Sequence, residues 1–161
     1  MKKSIFNLSL IICLSLIGCT KTAEEYNISG LNKAKKMDFE GAINDFSKAI
    51  SVNPNLADSY YLRGMMDDAT ANYKGACDDY SKAIELGYTT IDVFRYRAKA
   101  FEKIGEYNKA ISDYSIIIKD NPKDFFAYFS RSELKLKQKD TIGANEDMKI
   151  ANSLSIKKWK N

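Results

Sequence analysis

The chain has 161 residues, with 25 Lys+Arg against 21 Asp+Glu and 45% hydrophobic residues, a balance that describes a globular chain and excludes a disordered one. Only 2 prolines and few turn dipeptides exclude a many-stranded sandwich or barrel, and no block of like charge is long enough to serve as a nucleic-acid arm. Histidine is absent, which removes the commonest general base and the commonest metal ligand. No catalytic residue, metal, cofactor or small-molecule substrate is therefore expected.

The first predicted element is a targeting signal. Met1, Lys2 and Lys3 make a short cationic start, and the 13 residues 5–17 carry no charge. A helix that crosses a bilayer needs about 20 apolar residues, so this shorter run behind two lysines reads as a secretory signal peptide over residues 1–18. It closes in Leu16, Ile17, Gly18 and Cys19. That ending resembles the lipobox of bacterial lipoproteins. The resemblance implies cleavage after Gly18, diacylglyceryl transfer to Cys19, and a lipidated tether over residues 19–22. Each buried acyl methylene adds about 0.8 kcal/mol of membrane affinity, so two or three long chains hold a protein at the bilayer. The resemblance further implies an extracytoplasmic, membrane-anchored protein. Thr20, where an Asp would signal retention, points to the outer membrane or periplasmic face in a two-membrane bacterium. Cys13 leaves with the signal and Cys19 takes lipid, so Cys77 has no disulfide partner. Losing Lys2 and Lys3 leaves 23 basic against 21 acidic residues, or +2, which points to no polyanionic partner.

A period of 34 residues organises the rest. Ala42, Ala76, Ala110 and Ala144 mark it. Four residues later stand Phe46, Tyr80, Tyr114 and Met148, and three further on Ala49, Ala83, Ile117 and Ala151. Upstream, Tyr26, Tyr60, Phe94 and Tyr128 are followed after four residues by the small Gly30, Gly64, Ala98 and Ser132. Offsets of three and four put each set on one helical face, so every period contains two helices. Asp38, Asn72, Glu106 and Asp140 sit in the break between them, where they are predicted to cap the second helix. Pro54 and Pro122 end two of the second helices. The columns divide the chain into repeats at 23–56, 57–90, 91–124 and 125–158, with a tail at 159–161.

This pattern resembles the tetratricopeptide repeat (TPR), most faithfully over residues 91–124 through Phe94, Ala98, Phe101, Gly105, Tyr107, Ala110, Tyr114 and Pro122. The second copy departs at Tyr88, and the fourth at Met148, Thr141 and Ile156, as a degenerate capping repeat. The resemblance implies an all-α fold, an α-solenoid of about four helix–turn–helix repeats in a right-handed superhelix. Its first helices would line a concave surface that holds proteins or peptides.

Arg63, Arg97 and Arg131 share the period with Asp45, Asp79, Asp113 and Asp147, which suits a structural ion pair either within or between repeats. The first-helix aromatics and Phe39, Tyr73, Phe101 and Tyr107 read as core. The residue after each first-helix aromatic, and the one four further on, turn away from that core toward the groove. A candidate partner groove follows: Asn27; an apolar lip at Tyr61 and Met65; a basic centre at Arg95, Lys99 and Lys103; and an apolar end at Phe126 and Phe129. Surplus aromatics beside arginine are a hot-spot composition, although packing of the last repeats is the competing role for the phenylalanines. Asn27 and Leu31 do not reproduce the opening pair of the carboxylate clamp of chaperone-binding TPR domains. Asp67–Asp68 and Asp78–Asp79 read as solvated faces, and Cys77 as a small buried hydrophobe. The tail from Ile156 to Lys160 would extend the last helix or touch anionic lipid. The expected function is that of a non-catalytic, lipid-anchored adaptor of the bacterial envelope, or alternatively a self-associating subunit of an envelope assembly or secretion complex.

Overall fold

The computed structural model describes residues 21–158, without the side chains of 156–158; the expected signal segment, Cys19 and the tail at 159–161 lie outside the described residues. The described residues form eight α-helices and no strand: α1 Ala23–Ala34, α2 Phe39–Val52, α3 Ala57–Ala69, α4 Tyr73–Glu85, α5 Ile91–Lys103, α6 Tyr107–Asp120, α7 Phe125–Lys137 and α8 Thr141–Lys158. Each packs against the next, and first helices of neighbouring hairpins also approach one another, as α3 does α5. The result is an α-solenoid with first helices on one side and second helices on the other. Among the described residues no helix is long and apolar enough to cross a membrane.

Local chemistry explains the helix ends. Thr22 opens α1 with a capping box, its Oγ accepting from Glu25 N while Glu25 Oε2 accepts from Thr22 N. Asp38, Asn72 and Asp140 accept from the backbone N–H groups of Gly41, Gly75 and Gly143, as expected of caps. Glu106 does not cap α6. One methylene longer, its carboxylate instead meets Lys109 at 3.5 Å. Asn53 and Asn121 hold extended backbone ahead of Pro54 and Pro122, as the proline ring requires. Where Tyr88 replaces proline, α4 ends through Gly87 at φ 95°, with Tyr88 N donating to Ala83 O.

The turns inside the hairpins repeat one motif. Met37, Ala71, Gly105 and Lys139 are all left-handed, and the following N–H reaches back to the carbonyl of Lys33, Asp67, Phe101 or Lys135. Only one of the four is glycine. Lys139 is exposed at φ 65°, so Lys139→Gly removes a steric cost while loosening the unfolded chain. It is expected to raise stability by about 0.5 kcal/mol, read from the urea midpoint.

The core follows the second-helix columns. Phe46, Tyr80, Tyr114 and Ile117 are almost wholly buried among Ala42, Ala49, Ala76, Ala83 and Ala110. Burying each large side chain contributes on the order of 1.5–3 kcal/mol. The small first-helix column is what admits the rings: a Cβ added at Gly30 would lie 2.6 Å from Phe46 Cε1, and one at Gly64 2.9 Å from Tyr80 Cε1. Two expectations need correction. Tyr26, Tyr60, Phe94 and Tyr128, together with Phe39, Tyr73 and Tyr107, are half-buried rather than deep core. Asp67 and Asp79 are buried, not solvated.

The second correction has a cause. Arg63, Arg97 and Arg131 each make a bidentate pair with the aspartate of their own hairpin, Asp79, Asp113 and Asp147, at 2.7–2.9 Å. The free Nη1 of each donates backward across the junction to Ser47, Ser81 or Ser115. Each guanidinium also lies 5.7 Å from the ring of Tyr60, Phe94 or Tyr128. The ion pair is thus internal to a repeat, and the serine carries the link between repeats.

The first hairpin lacks the arginine. Ser29 takes its place and donates to Asp45 at 2.6 Å, while Lys33 pairs with the same carboxylate at 2.7 Å. Lys135 repeats that second role toward Asp147. In the second hairpin the same position is Asp67, a buried carboxylate whose pKa burial raises, held by Asn72 Nδ2. Asp67→Lys would reproduce the Arg131–Lys135–Asp147 cluster around Asp79. Its expected gain of about 1–2 kcal/mol is measurable as a higher urea midpoint.

Candidate functional site

The anticipated groove residues lie on α1, α3, α5 and α7, but their environments differ sharply. Asn27 is half-buried, and its Oδ1 accepts from Ser59 Oγ at 2.9 Å. Tyr61 stacks on Tyr88 with ring centroids 4.5 Å apart and lies within 6.1–6.3 Å of Tyr80 and Tyr96. Burial pushes its hydroxyl up to about 12. Met65 packs against the same cluster. The expected open lip is therefore filled by the chain's own tyrosines.

The expected basic centre is also rearranged. Arg95 Nη2 donates to Asp124 Oδ2 at 2.7 Å, and Asp124 Oδ1 in turn accepts from Ala127 N to cap α7. Arg95 is therefore tied to the loop 29 residues on. Lys99 and Lys103 are exposed and have no ion pair among the described residues. Phe126 and Phe129 stay 59% and 41% exposed.

Arg95, Lys99 and Phe126 come together with Asp124 and Tyr114 around a cavity of about 370 Å³. Tyr114, on α6, belongs to the second-helix layer and forms the floor, so the cavity opens on the first-helix side between α5 and α7. Position by position, the junction one repeat earlier carries Tyr61, Met65, Tyr80, Thr90 and Asp92. There Tyr96 lies over Tyr80 at 6.2 Å and Tyr61 closes the space. Ser130 stands where Tyr96 does, close to the Tyr114 hydroxyl. A small residue in place of a ring leaves the later junction open. In the earlier junction, which carries a ring at that position, the Tyr80 hydroxyl is buried without a hydrogen-bond partner. Sequence reasoning found Arg95, Lys99 and Phe126 but missed Asp124, Tyr114 and Ser130. The Ser130 exception in the column Leu62/Tyr96/Ser130 was the available signal.

A second cavity of about 360 Å³ lies on the opposite side, between α4 and α6 with Phe101 and Arg97 of α5 beneath. Cys77 borders it where other repeats have Ile43 and Ile111, and the smaller side chain accounts for the space. Its thiol is buried and burial pushes it up to about 11, which leaves it un-ionised at neutral pH, as a small hydrophobe. Among the described residues no group of three or more cysteine and carboxylate side chains is placed to hold a metal ion.

With this geometry in place, the likenesses to known proteins are informative about fold. Residues 92–124 match the family model of the tetratricopeptide repeat, the stretch that carries the most faithful copy of the period. The chain is similar to a crystal structure of MamA, at 23% identity, TM-score 0.77, over 86% of this chain and 81% of that one. It is also similar to MamA, residue 41 to the end, from Desulfovibrio magneticus RS-1: 16% identity, TM-score 0.74, over 84% and 76% of the two chains. A tetratricopeptide repeat protein from Parabacteroides merdae ATCC 43184 gives 21% identity and TM-score 0.70, over 80% of this chain and 51% of that one. No curated protein matches the sequence. The chain thus has the helical solenoid fold of tetratricopeptide repeat proteins and contains at least one repeat of that family.

Proposed function

We propose that this protein is a lipid-anchored, non-catalytic adaptor of the bacterial cell envelope that holds partner proteins against its first-helix face. The observation that carries the reading is the cavity between α5 and α7. Exposed Phe126 and Phe129 and the unpaired Lys99 and Lys103 lie at or near it, whereas the equivalent junction before it is filled from within. Apolar side chains that a fold leaves open beside unpaired cations are what a docking face offers. The absence of histidine, and the commitment of the buried Asp45, Asp79, Asp113 and Asp147 to cationic partners, support binding rather than catalysis.

The anchor rests on the lipobox-like ending at Cys19. Because α1 begins at Ala23, only residues 20–22 would separate lipid from fold. An anchored adaptor gains local concentration, so modest affinity in the groove suffices. Membrane fractionation of wild type against Cys19→Ala tests the anchor: wild type should pellet with membranes and the variant should be released by washing. Crosslinking and pull-down from membranes tests the adaptor. Recovery of a second protein species is the expected result. Recovery of this chain alone, with a concentration-independent oligomer in light scattering, would replace the adaptor with a self-associating subunit.

A further inference from the structure

We infer that the cavity between α5 and α7 selects a partner segment carrying an unsubstituted aromatic or branched apolar side chain with a carboxylate next to it. The inference rests on the adaptor reading and adds the chemistry of what is held. The floor sets the apolar requirement. The floor is the ring of the buried Tyr114. A polar group pushed against the Tyr114 and Phe126 rings, away from the charged rim, would lose its water at a cost comparable to a lost hydrogen bond. Phe126, 59% exposed at the wall, supplies the face against which an inserted ring would pack.

The charge requirement comes from what is paired and what is not. Arg95 and Asp124 neutralise one another at 2.7 Å inside the wall, and neither asks for a further ion. Lys99 borders the opening, Lys103 follows one turn later on α5, and neither has a carboxylate partner among the described residues. Of the nearby acids, Glu102 pairs with Lys137 at 3.1 Å, and Glu133 on α7 is exposed without an ion pair among the described residues. Two unpaired lysines against the one unpaired Glu133 leave the balance near the mouth positive, which favours an acidic segment and repels a basic one. One repeat earlier Lys99 and Lys103 correspond to Met65 and Ala69, and Tyr61 fills the space, so that junction offers neither the charge nor the room.

The test uses the full chain in neutral detergent, isotopically labelled for NMR, with three capped pentapeptide probes: Gly-Glu-Phe-Glu-Gly, Gly-Lys-Phe-Lys-Gly and Gly-Glu-Ala-Glu-Gly. The first should bind at least about tenfold more tightly than either control, with shifts centred on Lys99, Tyr114 and Phe126. Lys99→Glu with Lys103→Glu, both on an exposed surface, should reverse the order of the two phenylalanine peptides without moving the melting temperature. Equal binding of the three peptides, or shifts centred on Tyr61 or Cys77, overturns the inference. A random peptide display separates the two levels of the reading. Binders without acidic and aromatic enrichment would sink this proposal and leave the adaptor standing. No binder, together with no crosslinked partner, would remove the adaptor as well.

Discussion

Replacing Arg97 by alanine is expected to lower the stability of the chain by about 3–5 kcal/mol, the cost of leaving a buried carboxylate without its counter-ion. Asp113 keeps only 2% of its side chain exposed, and both of its oxygens are held by Arg97, at 2.7 and 2.9 Å. The same guanidinium bonds Ser81 across the junction and lies against the rings of Phe94 and Phe101, so the loss also weakens the coupling between hairpins. Urea unfolding followed by far-UV circular dichroism reads the effect as a lower midpoint. Arg97→Met with Asp113→Leu should recover most of it, because the penalty lies in the orphaned charge and not in the missing bridge. A loss below about 1 kcal/mol for Arg97→Ala would mean that the pair behaves as a surface salt bridge.

The aspartates also predict the response to acid. Burial alone would raise the Asp147 carboxyl, but hydrogen bonds from Arg131 and Lys135 outweigh it and hold it below the ordinary value. Asp45 is held low in the same way by Lys33 and Ser29. A carboxyl depressed in the folded state contributes stability above its unfolded pKa and loses it as pH falls through the folded one. The urea midpoint should therefore hold from neutral pH to about 4 and fall below that. Arg131→Ala should flatten the decline.

Lys99→Glu combined with Phe126→Ala is expected to abolish capture of the proposed partner while leaving the melting temperature within a degree or two. Truncating a central aromatic anchor costs about 2 kcal/mol or more of binding, and reversing the neighbouring charge adds repulsion. Both side chains are exposed, so folding has little to lose. Arg95 is the wrong handle: Arg95→Glu would set a carboxylate against Asp124, which caps α7, and capture would fail through misfolding. Quantitative pull-down against wild type, with melting curves beside it, decides the outcome. Undiminished capture by the double variant would move the docking surface to the second-helix side.

Most of the fold was legible because its determinants are local and repeated. Ala42 with Phe46 and Ala49, and their equivalents 34 residues on, mark helical faces at offsets a reader can count. The turn column Met37/Ala71/Gly105/Lys139 escaped notice because glycine occurs once, although the backbone bends the same way each time. The serine column Ser47/Ser81/Ser115 has the same period and was equally countable, yet its meaning depends on the third nitrogen of a distant guanidinium.

The site was legible only in part. Composition picked out Tyr61 and Phe126 alike as aromatics without a core duty, but one is stacked on Tyr88 inside a tyrosine cluster, while the other packs on Phe125 and keeps more than half its surface open. Arg95 and Lys99 looked equivalent until Asp124 claimed one of them. Number, length and pairing of the helices were thus determined by the amino-acid order itself, since burying one face of each helix permits little else. Which aromatic rings and cations remain free for a partner was decided by the tertiary structure alone. Availability is set by whatever side chain a neighbouring hairpin brings alongside, and no spacing within a helix encodes that.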